Sequence, residues 1–242
     1  SYSGRGISIF KPAHNVDAQL YWDQAAAESP THEALIEEYI QGDLYSFSAF
    51  IENNSVIQYF IVREGSSSNP YAVDTSFVVH QPSSHLVAQL SQGVEKISRT
   101  LKLTDGLFHL QYILKNDEPY FIEATRRCPG DLYSLLIEYS TGFEYAAKFA
   151  SYFTNRSLET TKKHCDHVIR HTITSLQSCI YRGLNFKISL DVMEFFPLLR
   201  VGEFILERQK NRAGILFVKT ESSEKQEAIY EAFMSRRAYS VE

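Results

Sequence analysis

The first third of the chain alternates hydrophobic and polar residues with a period of two, which is the pattern of β-strands that bury one face. Residues 45–52 and 55–62 both alternate in this way, and Asn53 and Asn54 between them are turn formers. These segments predict a β-hairpin. A shorter apolar-rich segment, residues 34–40, predicts one more strand.

Helical periodicity follows the linker-like segment 63–70 and a further predicted strand. From Ser84 onward apolar residues recur every three to four positions, which predicts an amphipathic helix: Leu86, Leu90, Val94, Ile97 and Leu101. Nearer the N-terminus, Asn15 is placed to cap a helix that extends to about Glu28.

A second predicted hairpin consists of residues 107–114 and 119–125. After it, helices are predicted to about Ser140 and, with Thr141 and Glu144 in capping-box spacing, beyond it. The remaining sequence predicts short strands and a final helix: 168–176, 187–192, 203–207, 214–219 and 223–236. This order lacks regular βαβ alternation, so we predict an α+β fold with largely antiparallel sheets.

Composition narrows the class of protein. The chain has 242 residues, 44% of them hydrophobic, and a net charge of −5, so it can bury a core and has no excess of basic residues for nucleic acid. No apolar run approaches the roughly 20 residues that cross a membrane, and the first residues do not resemble a secretory signal. We expect a cytoplasmic protein without nucleic-acid or membrane partners, whose three cysteines are reduced.

The second hairpin carries the most informative side chains. A three-residue loop, Asn116 to Glu118, would set Gln111 directly opposite Glu123 on one face of the sheet. Opposed Cβ atoms lie about 5 Å apart, so a hard cation such as Mg²⁺ fits between an amide oxygen and a carboxylate. Thr125 lies on the same face, and a loop of two or four residues would separate Gln111 from Glu123.

Two arginines follow this hairpin. Arg126 and Arg127 beside a metal-binding carboxylate would form a clamp for phosphate or carboxylate oxygens. Spacing alone gives about equal weight to a structural alternative, in which a strand-end glutamate forms salt bridges with these arginines.

The segment IEATRRCPGD resembles the E-x-N-P-R segment of the ATP-grasp enzymes, and LFHLQYILKNDEPYFIE resembles the strand pair that precedes it. The resemblance implies that Gln111 and Glu123 are metal ligands, with Thr125 at the family's asparagine position. It implies that Arg127 contacts phosphate and substrate, with Arg126 beside it at the family's proline position.

Two further segments resemble the same family. ALIEEYIQG is similar to the strand and hinge that hold adenine, which implies nucleotide contacts from Glu37, Glu38, Tyr39 and Ile40, with Asp43 near the ribose position. SGRGIS is similar to the glycine loop over the ATP phosphates, which implies contacts from Gly4, Arg5 and Gly6. The family's lysine upstream of that loop has no counterpart, and we expect an N-terminally truncated ATP-grasp chain.

The resemblance implies an ATP-grasp fold of antiparallel sheets flanked by helices, in three parts. They are a partial lid at residues 1–40, a core with the metal site at 41–158 and a small mixed C-terminal unit at 159–242. The implied cofactors are ATP and Mg²⁺, with Mn²⁺ as an alternative metal, and the implied partners are carboxylate and amine substrates, with either a homodimer or a missing N-terminal portion.

The implied activity is that of a ligase, EC 6.3-like, that joins a carboxylate to an amine through an acylphosphate. Two alternatives stay open. One is a non-catalytic ATP-grasp-like binding or assembly module, favoured by Thr125, by Leu44 where the family often has an acidic residue, and by the missing lysine. The other is a biotin-carboxylase-like enzyme, suggested by the C-terminal segment.

Overall fold

The computed structural model describes residues 6–9, 17–154, 156–207 and 211–242. Within these residues the helices are α1 Ala18–Ala27, α2 Ser84–Leu101, α3 Tyr133–Thr141, α4 Tyr145–Ser151 and α5 Ser223–Met234. The strands are β1 Asp43–Glu52, β2 Ser55–Gly65, β3 Thr75–Val78, β4 Gly106–Lys115, β5 Glu118–Thr125, β6 His167–Ile173, β7 Cys179–Ile180, β8 Leu184–Phe186, β9 Asp191–Pro197, β10 Phe204–Ile205, β11 Gly214–Thr220 and β12 Tyr239–Val241.

Eight strands form one sheet in the order β5-β4-β1-β2-β3-β6-β11-β9. Every neighbouring pair in it is antiparallel, which confirms the predicted fold class. Strands β6, β9 and β11 come from the predicted C-terminal unit, yet they extend the main sheet across the β3–β6 pairing. Two small sheets, β7 with β10 and β8 with β12, lie outside it.

Helices cover both faces of the sheet because the strands alternate. On β1, Phe47 packs in the cluster that contains α2, whereas Phe50 packs in the cluster that contains α3 and α4. Helix α5 covers the β3–β6–β11 region on the α2 side, where Phe77 packs against it. The polar side chains that β1, β2 and β4 add to the α3 side form the floor of the cleft described below.

Local sequence sets the bounds of the long helix α2. The Ser83 hydroxyl accepts a hydrogen bond from the Leu86 N–H at 3.2 Å and caps the helix, as serine commonly does. Leu86, Leu90 and Val94 are buried against the sheet, as their spacing predicts. None of the described helices is both long and apolar enough to cross a bilayer.

The turn of the second hairpin differs from its prediction. Lys115 pairs with Glu118, so the turn consists of Asn116 and Asp117 alone, and both have positive φ (52° and 64°), as a two-residue turn with this twist requires. The expected three-residue loop is wrong. A β-bulge between Gln111 and Tyr112 adds one residue to β5, so Gln111 pairs with Glu123 after all.

Other local predictions also need correction. Residues 33–41 contain no strand, because they pair with no neighbouring strand among the described residues. Helix α1 is capped by Asp17, while Asn15 lies outside the described residues. Thr141 is the last residue of α3 rather than a cap of α4, since its hydroxyl donates to the Ile137 carbonyl at 2.6 Å. Residues 187–190 are not a strand, and β9 begins at Asp191.

Candidate functional site

A cleft of about 170 Å³ opens on the α3 side of the sheet, where β2, β3, β4, β5 and β6 meet the segment that follows β5. Its lining is mainly polar and charged, with carboxylates and guanidinium groups facing one another. The lining residues are Glu64, Val73, Ser76, His109, Gln111, Glu123, Thr125, Arg127, Pro129, Gly130, Asp131, Tyr133 and Arg170.

Gln111 and Glu123 are directly opposed on β4 and β5, and both line this cleft. They therefore share one face of the sheet, as the sequence predicts. An amide oxygen and a carboxylate at neighbouring positions are ligands that suit a hard divalent cation.

Glu64 is a cleft residue that sequence reasoning missed. Its side chain accepts a hydrogen bond from Gln111 Nε2 at 2.6 Å and is nearly buried. Burial raises the pKa of the Glu64 carboxyl, while hydrogen bonds with Ser46 and Gln111 oppose that rise. The sequence feature that could have identified it is a charged residue two positions after Val62 and four after Phe60, which places it on the same buried face of β2.

The two predicted arginines have different surroundings. Arg127 lines the cleft, and its backbone N–H donates to the Thr125 hydroxyl at 3.3 Å. Arg126 is absent from the lining of the cleft; its Nη2 donates to the backbone carbonyls of Thr104 at 2.7 Å and Asp105 at 3.2 Å. The structure thus brings Arg127 and Thr125 together with Gln111 and leaves Arg126 outside that group.

Arg170 adds a second guanidinium to the cleft from β6, and sequence reasoning missed it as well. The side chain is 3% exposed, and burial lowers its pKa. Nε donates to Ser76 Oγ and Nη1 to the Asp131 carbonyl, both at 2.9 Å. The Asp131 carboxylate is paired with Arg212. A single arginine within an apolar strand of residues 168–173 was the signal for a buried functional group.

A buried hydrogen-bonded layer supports one wall of the cleft. His109 Nδ1 lies 2.7 Å from the Ser48 hydroxyl, which lies 2.8 Å from the Tyr145 hydroxyl. Burial, together with the charge of Arg127, lowers the pKa of His109 to about 4. The imidazole is therefore neutral near pH 7 and adds no positive charge to the site.

The expected adenine and ribose residues lie outside the described cleft lining. Glu37, Glu38 and Tyr39 are exposed in the irregular segment 33–41, and Ile40 is half-buried. Asp43 begins β1, and its carboxylate lies 3.9 Å from Arg63 Nη2.

The expected glycine loop is described only at Gly6, with a φ of +70° that favours glycine. A Cβ at this position would lie 3.1 Å from the Glu28 Cβ beside α1. Gly4 and Arg5 lie outside the described residues.

The donor set in the cleft fits a magnesium ion that also binds a phosphorylated ligand. No three His, Cys, Asp or Glu side chains of the described chain are arranged around a metal position. The cleft instead offers the Glu123 carboxylate, the Gln111 amide and the Thr125 hydroxyl, with Glu64 hydrogen-bonded to that amide. Mg²⁺ is commonly held by one or two carboxylates, with phosphate oxygens and water completing its shell.

Comparison with known proteins gives a weak match in sequence. No protein-family model matches the chain. The large chain of carbamoyl phosphate synthase from Sulfurisphaera tokodaii is 22% identical over 129 residues, which is 52% of this chain and 12% of that protein.

Solved structures match far more of the chain. The biotin carboxylase domain of 2-oxoglutarate carboxylase from Hydrogenobacter thermophilus, solved with MgADP, ADP and bicarbonate, matches all of it with a TM-score of 0.72 and 13% identity. Phosphoribosylglycinamide synthetase from Anaerococcus prevotii matches 91% with a TM-score of 0.68 and 18% identity. L-amino acid ligase from Bacillus licheniformis matches 84% with a TM-score of 0.65 and 18% identity.

The chain spans only 56%, 58% and 55% of these three solved chains. At identities this low, the structural similarity shows a common fold and nothing further. The architecture, together with the strand pair that carries Gln111 and Glu123, shows that the chain has the fold of the ATP-grasp enzymes.

Proposed function

We propose that this chain is the nucleotide- and metal-binding portion of an ATP-dependent ligase that joins a carboxylate to an amine through an acylphosphate. The observation that carries the proposal is the convergence of Gln111, Glu123 and Arg127 on one cleft. These three residues lie where the sequence resemblance implies two metal ligands and a phosphate contact.

The chain's own residues would bind and orient the reactants. Gln111 and Glu123, with Glu64 nearby, would hold Mg²⁺ or Mn²⁺, and the bound metal supplies positive charge to the phosphate oxygens. Arg127 and Arg170 would offset negative charge on the transferred phosphoryl group. Fixed charges of this kind, rather than a covalent nucleophile, account for most of the catalysis of phosphoryl transfer.

The proposed reaction has two steps. A carboxylate oxygen of the substrate forms a bond to the γ-phosphorus of ATP as the bond from that phosphorus to the β–γ bridging oxygen breaks, and ADP leaves. The amine nitrogen then attacks the acyl carbon of the acylphosphate, phosphate leaves and the nitrogen loses a proton. The products are an amide, ADP and phosphate.

Adenine binding is a separate part of this proposal. The exposed backbone of residues 37–40 would meet the edge of the ring, with Gly4, Arg5 and Gly6 over the phosphates and Asp43 near the ribose. Recognition of the carboxylate and amine would also involve a second copy of the chain or an N-terminal portion, as the sequence resemblance implies.

Thr125 favours a second candidate function, a non-catalytic ATP-grasp-like binding module. The resemblance places asparagine at this position, and a neutral hydroxyl that already accepts from the Arg127 N–H is a weaker metal ligand. A third candidate, a biotin-carboxylase-like enzyme, is supported by the similarity of the entire chain to biotin carboxylase domains. Bicarbonate-dependent ADP release would favour it over amide formation.

Calorimetric titration of the purified chain with Mg-ATP tests nucleotide binding. We expect saturable binding that requires the divalent ion and is lost in Glu123→Gln. The matched control is Glu118→Gln, which alters an exposed carboxylate on the same strand. Absence of binding to the wild-type chain would overturn the proposal.

Measurement of ADP release by the full-length protein then distinguishes an active ligase from a non-catalytic binding module. Turnover that depends on a carboxylate and an amine supports the ligase, and Glu123→Gln should abolish it while leaving the fold intact. Binding without turnover supports the module.

A further inference from the structure

Gln111 and Glu64 meet across an intervening strand. They belong to β4 and β2, two strands that flank β1 and therefore lie about 9–10 Å apart, and Glu64 pairs with Leu44, two positions from the Ser46 that pairs with Gln111. The side chains nevertheless form a hydrogen bond from Gln111 Nε2 to Glu64 Oε2 at 2.6 Å. Ser46 of β1 pairs with Gln111, and its small side chain leaves room for the contact.

This hydrogen bond determines how the Gln111 amide is oriented. An amide carries a donor nitrogen and an acceptor oxygen on opposite branches, and only the oxygen can bind a cation. Glu64 engages the nitrogen from the β1 and β2 side. Glu123 lies on the other side of β4, on β5. The branch directed away from Glu64 is therefore the oxygen, on the side of Glu123.

We propose that Glu64 is a positioning residue, which holds the Gln111 amide so that its oxygen is offered to the divalent cation. The inference rests on the proposed function and names a residue outside the set of metal ligands that the resemblance implies. Without Glu64, the amide is free to rotate, and fixing its oxygen toward the cation would cost part of the binding free energy.

The surroundings of Glu64 favour a role of this kind over simple packing. A buried carboxylate is unfavourable unless hydrogen bonds and opposite charge compensate it. Gln111 supplies a hydrogen bond at 2.6 Å and Arg170 supplies attraction, whereas Glu123 repels it. An apolar residue would fill the same space without that cost, so the carboxylate itself is the feature that needs a function.

A double-mutant cycle with Mn²⁺ tests the inference. Binding is followed by the loss of the free-ion signal in electron paramagnetic resonance, with no nucleotide and no measurement of activity. We expect Glu64→Ala and Gln111→Ala each to weaken binding roughly tenfold, the usual range for a partner that orients a metal ligand. The double variant should bind no more weakly than the weaker single variant, because Glu64 acts through Gln111.

A second glutamine–glutamate pair, between α2 and the hairpin, offers a matched control. Gln89 Nε2 of α2 donates to Glu118 Oε2 of β5 at 2.9 Å, and neither residue lines the cleft. Glu118→Ala and Gln89→Ala should leave Mn²⁺ affinity unchanged.

A further pair of variants covers the case in which Glu64→Ala does not fold. Glu64→Gln keeps an oxygen that can accept from Gln111 Nε2, so it should bind Mn²⁺ to within about threefold of wild type, whereas Glu64→Met, which fills similar space without such an acceptor, should lose roughly tenfold.

The outcomes separate this inference from the proposed function. If the losses of Mn²⁺ affinity in the two single variants multiply in the double alanine variant, Glu64 is an independent ligand and the positioning role is overturned. Full Mn²⁺ affinity in Glu64→Ala would also overturn it. If wild-type protein does not bind Mn²⁺, or binds it equally after Glu123→Gln, the metal site of the proposed function fails as well.

Discussion

Arg170 Nη1 donates to the backbone carbonyl of Asp131 at 2.9 Å. The bond joins β6, from the last third of the chain, to the segment that follows Arg127. A second bond, from Nε to Ser76 Oγ, fixes the guanidinium on β3. The position of the cleft's basic wall therefore depends on strands far apart in sequence.

Arg170→Lys should lower the free energy of unfolding by about 1–2 kcal/mol, because an ammonium group cannot reproduce two hydrogen bonds in a planar fork. Urea unfolding measures the loss. Arg212→Lys is the control, since Arg212 forms a half-exposed ion pair with the same Asp131 and should lose less than about 1 kcal/mol. Equal losses in the two variants would mean that the Arg170 hydrogen bonds stabilise the fold no more than the half-exposed ion pair of Arg212 does.

Arg126 and Arg127 provide a comparison between adjacent residues. Arg127→Gln should weaken Mg-ATP binding roughly tenfold, because it removes a guanidinium that lines the cleft. Arg126→Gln should keep nucleotide affinity and lose about 1–2 kcal/mol of stability, since it removes the bonds to the Thr104 and Asp105 carbonyls. Titration calorimetry and urea unfolding check both variants, and the reverse pattern would reassign the phosphate contact to Arg126.

The small side chain of Ser46 is predicted to leave room for the contact between Gln111 and Glu64. Ser46→Ala and Ser46→Val both lose the hydroxyl, which lies 3.1 Å from the Tyr133 hydroxyl. Only valine adds bulk under the contact between Gln111 and Glu64, so it should cost a further 1–3 kcal/mol or so and weaken Mn²⁺ binding more than alanine does. Equal Mn²⁺ affinities would show that the contact tolerates a larger residue beneath it.

His171 should make stability depend on pH. Burial, together with the charges of Arg170 and Arg236, holds the pKa of this imidazole well below its usual range, although Asp74 opposes the shift. The unfolded chain takes up a proton near pH 6.5, whereas the folded chain does so only at lower pH. Stability is therefore complete above about pH 6.5 and falls by up to about 1.4 kcal/mol per unit as pH drops below it.

Urea unfolding between pH 7.5 and 5 measures this dependence. His171→Gln should reduce the slope by up to about 1.4 kcal/mol per pH unit and leave the part due to His109, whose pKa is also lowered, while His85→Gln, at an exposed position on α2, should leave the slope as in wild type. An unchanged slope in His171→Gln would assign the proton uptake to other histidines.

The sequence predicted the antiparallel α+β fold, both hairpins and the opposed Gln111 and Glu123. It did so through a three-residue loop that does not exist, because the alternation of β5 does not reveal whether the extra residue lies in the turn or in a bulge. Either arrangement gives the same pairing beyond the bulge, so this prediction was right for a partly wrong reason.

Residues that depend on tertiary contacts were harder to predict. Glu64 reaches the cleft by crossing β1, and Arg170 reaches it only because β6 pairs with β3. Neither the crossing nor that pairing can be read from local periodicity. The extent of the sheet was missed for the same reason, since joining β6, β11 and β9 to it is a long-range event.

The unbroken sheet also limits how this protein can be divided. A piece ending at residue 158 would leave β3 with an unpaired edge next to Ser76 and would remove one of the two guanidinium groups that line the cleft. Residues before and after position 158 therefore share one sheet and one cleft, and we expect neither part to fold into a complete cleft when expressed without the other.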